Sequence, residues 1–415
     1  SAGWVISNEA FMESFDNVIT NLKFRASYGK VGNDQMGGAR FLYQDNITVG
    51  PGPLGSLGLG QGINQALLGN PDIGWEVAEK QNFGVDLGLF KDLSISFDYF
   101  IENRSRILIS RGTVPEFQGV PLVNVPRANL GQVDNEGYEI EAVYNKRLTK
   151  NFSLMIRGNY GYNHNVVKFL DEPSRDETYA FRYRSTGYSL GQTWGYKVDY
   201  GNGNGYFNSQ EELNNFLAKT NYSFGVPRVG YLKYIDLNND GVIDDKDQSP
   251  IGYSNIPRII YGLTLSLQYK GFDLTTFFQG VGKYSRNYAD QGVYEYIIQG
   301  TYFGYHKTAW TPERVANGEK ITYPALSTHT TTNHRPNEFF IMDRSFIRLK
   351  NIELAYTLPA GLLDKLGVGD IRFYISAQNL ITWDNLRMDH LDPENDDSLG
   401  YPVTRMTNFG VNITF

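Results

Sequence analysis

The feature that most constrains this chain is an alternation of apolar and polar residues with a period of two. In one run, Leu263, Leu265 and Leu267 alternate with Thr264 and Ser266. Further runs lie at 22–28, 83–89, 93–100, 138–145, 152–162, 346–356, 371–379 and 409–415. Successive side chains of a β-strand point to opposite faces, so this pattern predicts strands with one apolar and one polar face. Because helical periodicity is scarce, we predict an all-β fold.

Two architectures satisfy such two-faced strands. In a soluble sandwich the apolar faces share a core, whereas in an outer-membrane barrel they face lipid and the polar faces line a wet lumen. Aromatic residues near strand ends, such as Trp75 and Tyr269, favour the barrel because they suit membrane interfaces. The connections also alternate between short (146–151) and long (163–187, 280–338), which is typical of outer-membrane barrels. We therefore predict an antiparallel transmembrane β-barrel segment with long extracellular loops.

Composition excludes several classes of function. The 415 residues include 38 basic and 45 acidic side chains, for a net charge of −7, so no positive field attracts nucleic acid. The chain has no cysteine, which excludes disulfides and thiolate metal sites. The sequence contains no run of about 18 apolar residues, so it predicts no transmembrane helix. Neither a zinc-protease motif nor a nucleophile elbow with a Ser-His-Asp order occurs, so we expect no enzymatic activity.

Several segments together resemble one protein family. They are 22–33 (LKFRASYGKVGN), 70–76 (NPDIGWE), 82–90, 135–140 (NEGYEI), 236–244, 269–274, 277–280, 343–352 (DRSFIRLKNI), 376–380 (SAQNL) and 401–405 (YPVTR), followed by the terminal Phe415. In this order they resemble the SusC/RagA family of TonB-dependent outer-membrane transporters of Bacteroidota. The resemblance extends from Ser1 to Phe415.

The resemblance implies a 22-stranded barrel in the outer membrane, with an N-terminal plug in its lumen and a SusD-like surface lipoprotein as its lid. No signal sequence, TonB box or plug is recognised in these residues, so we expect 1–415 to be the C-terminal part of the barrel, with roughly 12–14 strands. The implied function is TonB-dependent import of an oligosaccharide or a peptide. The alternative is a soluble or surface-attached β-rich glycan-binding protein without transport activity.

The sharpest local motif is an Asx-rich run at 236–247 (DLNNDGVIDDKD). Its spacing fits D-x-[DN]-x-[DN]-G with an acidic residue at the twelfth place, which predicts a structural Ca²⁺ site. The predicted ligands are Asp236, Asn238, Asp240, Val242 (through its carbonyl) and Asp247. The run follows an extended segment rather than a helix, so it resembles a dockerin-type loop more than an EF-hand. The alternative is a turn that needs no ion, since Asp, Asn and Gly form turns unaided.

The remaining polar and aromatic groups of the long loops allow weaker interpretations. The histidines are His164, His306, His329, His334 and His390. They have no metal-binding spacing, and we interpret them as exposed loop residues. The acidic cluster at 389–397 is interpreted as a solvated loop. Aromatic side chains of the long loops could offer flat faces to sugars or apolar peptide side chains, or could pack among the loops. They are Tyr200, Tyr206, Phe207, Tyr294, Tyr296, Tyr302, Phe303 and Tyr305.

Overall fold

The computed structural model describes residues 1–34, 40–51, 61–115, 117, 119, 121–174, 184–290, 292–296, 301–363 and 368–415. Its strands are β1 (Ala2–Val5), β2 (Ile19–Asn33), β3 (Asn46–Pro51), β4 (Gln61–Leu67), β5 (Glu76–Leu89), β6 (Leu93–Ile109), β7 (Ala128–Thr149), β8 (Phe152–Phe169), β9 (Gln192–Tyr196), β10 (Asn221–Tyr222), β11 (Val242–Ile243), β12 (Gln248–Ser254), β13 (Ile259–Tyr269), β14 (Phe272–Gly282), β15 (Ser285–Asn287), β16 (Ile341–Asp343), β17 (Phe346–Thr357), β18 (Asp370–Asp384) and β19 (Met406–Thr414). The helices are α1 (Gln210–Leu217), α2 (Pro312–Ala316) and α3 (Ala360–Leu363). Among the described residues, none of the helices has the length and apolar character needed to cross a membrane.

One antiparallel sheet of eleven strands dominates the described chain. Its order is β1-β2-β5-β6-β7-β8-β13-β14-β17-β18-β19. The all-β, antiparallel prediction is confirmed. The count is below the twelve to fourteen strands expected, because the stretches between β8 and β13 and between β14 and β17 form loops with short strands of their own. β1 and β19 occupy opposite edges, and no pairing joins them within the described ranges.

The register gives the sheet one apolar and one polar face. One row across five adjacent strands consists of Phe24, Val85, Phe97, Ile140 and Tyr160. The next row consists of Arg25, Gly84, Asp98, Glu139 and Gly161. The apolar face is open: Leu263 is 43% exposed and Phe373 is 47% exposed. A sandwich would bury this face under a second sheet, so its exposure over many strands favours a wall that faces lipid.

The two ends of the sheet are built differently. At one end, tight hairpins at 89–93, 149–152 and 269–272 join neighbouring strands, and we call this end the short-turn rim. The hairpin at 269–272 turns through Lys270 (φ 48°) and Gly271 (φ 87°), as a two-residue turn with positive φ at both central positions requires. At the other end, long connections follow β8, β14 and β18.

The buried hydrophobic core lies in these long connections rather than in the sheet. We call it the loop core, and it consists of Tyr196, Val198, Tyr206, Phe207, Leu213, Tyr222, Leu232, Tyr234, Ile243, Tyr288, Val293, Tyr294, Ala309, Trp310, Tyr323, Phe339, Phe340, Met342, Met388 and Leu391. No member belongs to the eleven-stranded sheet. Because this core packs several connections against one another, they form one ordered structure at the long-loop end.

Candidate functional site

The polar face of the sheet balances its charges between neighbouring strands. Arg25 on β2 donates from Nε to Asp86 on β5 at 2.9 Å and from Nη1 to Asp98 on β6 at 3.0 Å. Its Nη2 also donates to the hydroxyl of Ser96 at 3.2 Å. All of these groups are partly exposed, so each pair contributes little to stability. Their effect is to keep a charged wall nearly neutral.

An open cavity of about 680 Å³ lies against this wall. Its lining includes Asp98, Glu139, Glu141, Arg157 and Asn159. Arg157 pairs with Glu141 at 2.7 Å, and both side chains are largely exposed. Groups of this kind keep their water, so the cavity suits hydrated, hydrophilic solutes.

The loop aromatics fall into two sets. Tyr206, Phe207 and Tyr294 are buried in the loop core, which confirms the packing alternative for these three. Tyr200 and Tyr302 are exposed to 40% and 43%. The hydroxyl of Tyr302 donates to the carbonyl of Ser327 at 3.1 Å, which holds the partly exposed ring in place. The exposed rings are therefore the ones free to contact a ligand.

Three of the five histidines converge on the segment 292–295. Nε2 of His306 lies 3.2 Å from the carbonyl oxygen of Val293, and Nε2 of His390 lies 3.3 Å from that of Gly292. Nε2 of His334 lies 3.1 Å from a carboxylate oxygen of the buried Glu295. The interpretation as exposed loop residues is therefore wrong for His306 and His334, whose side chains are buried. They hold one loop segment from two other segments of the chain.

The hydrogen bonds assign the neutral form of His306. The backbone N–H of Phe303 donates to Nδ1 of His306 at 3.0 Å, so the ring proton lies on Nε2 and is donated to Val293. Burial lowers the pKa of His306, and burial likewise lowers the pKa of His390. A proton added at Nδ1 would remove the acceptor for Phe303. The segment is therefore built around uncharged imidazole.

The acidic cluster at 389–397 is tied to two buried arginines. Arg348 pairs with Asp392 at 2.7 Å and with Glu394. Arg344 pairs with Asp396 at 2.6 Å. Both arginine side chains are almost fully buried, at 2% exposure or less. The interpretation as a solvated loop is wrong for Asp392 and Glu394, which are mostly buried at the start of β17, whereas Asp396 is exposed as expected.

The Asx-rich run adopts the turns that its sequence suggests. The N–H of Gly241 donates to Asp236 at 2.8 Å, that of Asp240 to the side chain of Asn238 at 3.1 Å, and that of Val242 to Asp240 at 2.9 Å. Gly241 has φ 82°, where a side chain would be strained. These bonds alone account for a stable turn.

Two carboxylates of the run have buried oxygens. Asp247 is fully buried, and each of its two oxygens accepts a hydrogen bond from a backbone N–H. Burial nevertheless raises the pKa of its carboxyl, with Asp236 adding to that effect. Oδ1 of Asp236 is buried without a hydrogen-bond partner. Asp240 is turned towards Lys246, with Oδ2 3.7 Å from Nζ. Within the described ranges, no three side chains among His, Cys, Asp and Glu form a group ready to hold a metal ion. The run thus offers the oxygen ligands that Ca²⁺ prefers, but its carboxylates do not converge on one point.

Comparison with known proteins places this architecture. A family model described as "TonB dependent receptor-like, beta-barrel" matches residues 13–226, which is more than half of the chain. This chain belongs to the TonB-dependent receptor-like β-barrel family. The resemblance to SusC and RagA is confirmed, and the outer membrane is the location of this TonB-dependent receptor barrel. The outer-membrane location contradicts the soluble form of the glycan-binding alternative.

The matches to individual relatives cover almost the whole chain. TonB-dependent receptor P3 of Formosa agariphila is 27% identical over 99% of the chain and 41% of its own length. TonB-dependent receptor SusC of Bacteroides thetaiotaomicron is 24% identical over 100% of the chain and 39% of its own length. The structure of the RagAB peptide transporter shares the fold, with TM-score 0.70 and 22% identity over 100% of this chain and 43% of that chain. The barrel chain thus spans about two fifths of these relatives.

Sequence reasoning missed the buried arginines and histidines of this receptor. The only available signal for the arginines was charge complementarity: Arg344 and Arg348 match the acidic cluster at 389–397 in sign. His306 and His334 gave no comparable signal, because isolated histidines in polar loops have no diagnostic spacing.

Proposed function

We propose that this receptor imports an oligosaccharide or a peptide across the outer membrane in a TonB-dependent manner. The observation that carries the proposal is the two-faced sheet, which has an open apolar face, a charged polar face and the loop core at one end. A wall of this kind separates lipid from a wet lumen, which a hydrophilic solute can enter. The loop core would hold the entrance in shape, and the exposed rings of Tyr200 and Tyr302 would contact the ligand.

The remaining parts of the transporter would come from outside these residues. Residues 1–415 would be the C-terminal part of the barrel, with the plug, the other strands and the contact with TonB supplied by the rest of the protein. The relatives' greater length supports this arrangement, because the matched region is about two fifths of each. A SusD-like lipoprotein would cover the long-loop end, as the likeness to SusC and to RagAB suggests.

Uptake measurements test the proposal directly. A strain that lacks the intact receptor should lose uptake of labelled compounds from one of two panels, oligosaccharides or peptides, and an uncoupler should abolish that uptake in the parent strain. A tagged receptor should also recover a SusD-like lipoprotein after mild detergent extraction. Unchanged uptake of both panels in the deletion strain would contradict the import function.

The ligand contacts have a separate test. Tyr302→Ala should reduce uptake several-fold without changing the amount of receptor in the membrane, because it removes the flat aromatic face that would contact the ligand. Tyr269→Ala, on the short-turn rim, is the matched control and should leave uptake unchanged. Equal effects of the two substitutions would show that Tyr302 acts through folding alone.

A second proposal concerns the Asx-rich run, which would bind a structural Ca²⁺ ion. The residues that would hold it are Asp236, Asn238, Asp240, Val242 (through its carbonyl) and Asp247. The unpartnered oxygen of Asp236 and the fully buried carboxyl of Asp247 support it, since a cation would compensate both. The ion would supply positive charge and order the loop, without any part in chemistry.

Calcium binding is testable by calorimetry and by thermal unfolding. We expect Ca²⁺ to raise the unfolding temperature of the purified receptor, and EDTA to reverse the change. Asp236→Asn should abolish the effect, because it replaces a charged ligand by a neutral one. Glu313→Gln, an exposed substitution on α2, is the control. If neither calcium nor EDTA changes the unfolding temperature, the run is an Asx turn that binds no ion.

A further inference from the structure

We infer that the short-turn rim binds the head groups of anionic phospholipids through Lys91, Lys150 and Lys270. Each lysine lies in one of the hairpins that define this rim, and each is exposed. The three hairpins connect consecutive pairs of strands in the sheet, β5–β6, β7–β8 and β13–β14. With strands about 4.8 Å apart, neighbouring hairpins are about 10 Å apart, so the lysines form a continuous basic arc.

The charge of this arc is not neutralised within the described part of the chain. None of the three lysines forms an ion pair there. Asp92, the acidic residue inside the first hairpin, already pairs with Lys146 at 2.7 Å. Arg147 adds a further positive charge next to Lys150, whose carbonyl accepts a hydrogen bond from it at 2.8 Å. The arc thus presents unpaired cations to whatever lies next to the rim.

Two of the three lysines occupy strained backbone positions. Lys91 has φ 64° and Lys270 has φ 48°, and both values lie in the left-handed region. Glycine or asparagine is the usual residue at such turn positions, because a longer side chain is strained there. Two hairpins thus carry lysine where asparagine would be easier to accommodate.

The neighbouring aromatic side chains indicate that the partner is a lipid surface. Phe90, Tyr269 and Phe272 are exposed beside the lysines, and Nζ of Lys270 lies 5.3 Å from the centre of the Tyr269 ring. Aromatic rings prefer the boundary between hydrocarbon and head groups, and lysine extends its ammonium group beyond them into the phosphate layer. Basic residues at such a depth attract anionic lipids.

Binding of anionic lipid is confined to this arc of the rim. The connection 6–18, between β1 and β2 at the same end, carries Glu9, Glu13 and Asp16 and would repel anionic head groups. Asp273 follows Phe272 on β14, so alternation places it on the polar face, away from lipid. Bound anionic lipid should therefore be local, at the hairpins of β5 to β14, and not a ring around the whole barrel.

The amount of lipid that stays bound to the receptor tests whether the three lysines bind anionic head groups. The intact receptor, purified from the outer membrane, would be mixed with micelles that contain phosphatidylglycerol or phosphatidylcholine, and bound lipid would be counted by native mass spectrometry. We expect about a ten-fold preference for phosphatidylglycerol, and its loss in the triple variant Lys91→Asn, Lys150→Asn, Lys270→Asn. Millimolar inorganic phosphate should displace little of the lipid, because the aromatic residues contact the hydrocarbon boundary.

Asparagine is chosen because it relieves the strain while it removes the charge. Lys91→Asn and Lys270→Asn should unfold at the same temperature as the unmodified receptor or higher, so lost lipid cannot be ascribed to misfolding. The matched control is Lys283→Asn: Lys283 also has positive φ (51°), but it follows β14 at the long-loop end. That variant should retain phosphatidylglycerol fully. The inference is overturned if the triple variant keeps the preference, if Lys283→Asn loses it equally, or if inorganic phosphate displaces the lipid completely.

Discussion

The side chain of Arg348 shows how much a single residue contributes to the stability of the long-loop end. Its guanidinium is 1% exposed, pairs with Asp392 and Glu394, and donates from Nε to Thr382 at 2.8 Å. Arg348→Met would leave Asp392 without its cation, whereas Glu394 would keep its pair with Lys350 at 3.0 Å. We expect a loss of about 3 kcal/mol in unfolding free energy, the lower part of the range for breaking a buried pair, because both carboxylates are partly exposed.

Denaturant unfolding of the purified receptor, together with protease cleavage between 385 and 405, measures that loss. Arg372→Met is the control, since Arg372 pairs with Glu353 at 2.6 Å but both side chains are more exposed. The control should cost about 1 kcal/mol or less. Equal costs for Arg348→Met and Arg372→Met would mean that burial adds nothing to the Arg348 network.

The orientation of the side chains on the two faces of β13 gives a second prediction at the scale of residues. Leu265 pairs with Ile156 on the apolar face, whereas the hydroxyl of Ser266 lies 3.2 Å from that of Thr275 on the polar face. Leu265→Arg should destabilise the barrel by roughly 2–4 kcal/mol near the bilayer midplane, and Ser266→Arg by far less. Folding into lipid vesicles measures both. Similar costs at the two positions would contradict a lipid-facing apolar row.

At the scale of elements, the segment 292–295 should respond to pH. Burial lowers the pKa of His306 below the ordinary value of about 6.5 that the unfolded chain retains. The neutral ring stabilises the fold, so that stability is complete above pH 6.5 and is lost as the pH falls through the folded-state pKa. Titratable neighbours of His306 include Glu295 and His390.

Hydrogen exchange of the peptide that contains 292–295 measures this response. Exchange should accelerate as the pH falls below 6.5, after correction for the intrinsic rate. His306→Gln keeps a donor near the Nε2 position and should flatten the dependence, while His329→Gln, at an exposed histidine, should leave it unchanged. A flat profile in the unmodified receptor would show that the histidines do not control this segment.

At the scale of the whole molecule, the sheet is open among the residues that the structure describes. β1 and β19 form its edges, and unpaired backbone groups in hydrocarbon cost several kcal/mol each. We therefore expect both edges to pair with strands outside these residues. The chain lacks cysteine, so engineered thiols can test this without background.

Cysteine at Trp4, combined in turn with cysteine at Phe409, Val411 or Ile413, should give no product with a short thiol cross-linker in the intact membrane protein. The positive control combines Phe373→Cys with Val411→Cys, which lie directly opposite each other on β18 and β19. That pair should react efficiently. A product from any combination with Trp4 would mean that β1 and β19 close the barrel by themselves.

The fold class and the two faces of the sheet could be predicted because they depend on local geometry. A period of two requires only that consecutive side chains point to opposite sides, so alternating runs such as 263–269 specify both the strand and its two faces. The turn chemistry of 236–247 is equally local, and its Asx turns form as the spacing of Asp and Asn predicts. The sequence alone thus determined the all-β sheet, its amphipathic character and the shape of this turn.

Only the tertiary structure decided which polar residues are buried. Arg348 meets Asp392 across 44 positions of sequence, and His334 meets Glu295 across 39. No local period encodes such a pairing, because it depends on how the long connections pack into the loop core. Tertiary packing also determined that those connections stay out of the sheet, which sets the strand number at eleven among the described residues. The physical reason is that desolvation, which lowers the pKa of His306 and makes Arg348 depend on its partners, arises only when distant segments exclude water together.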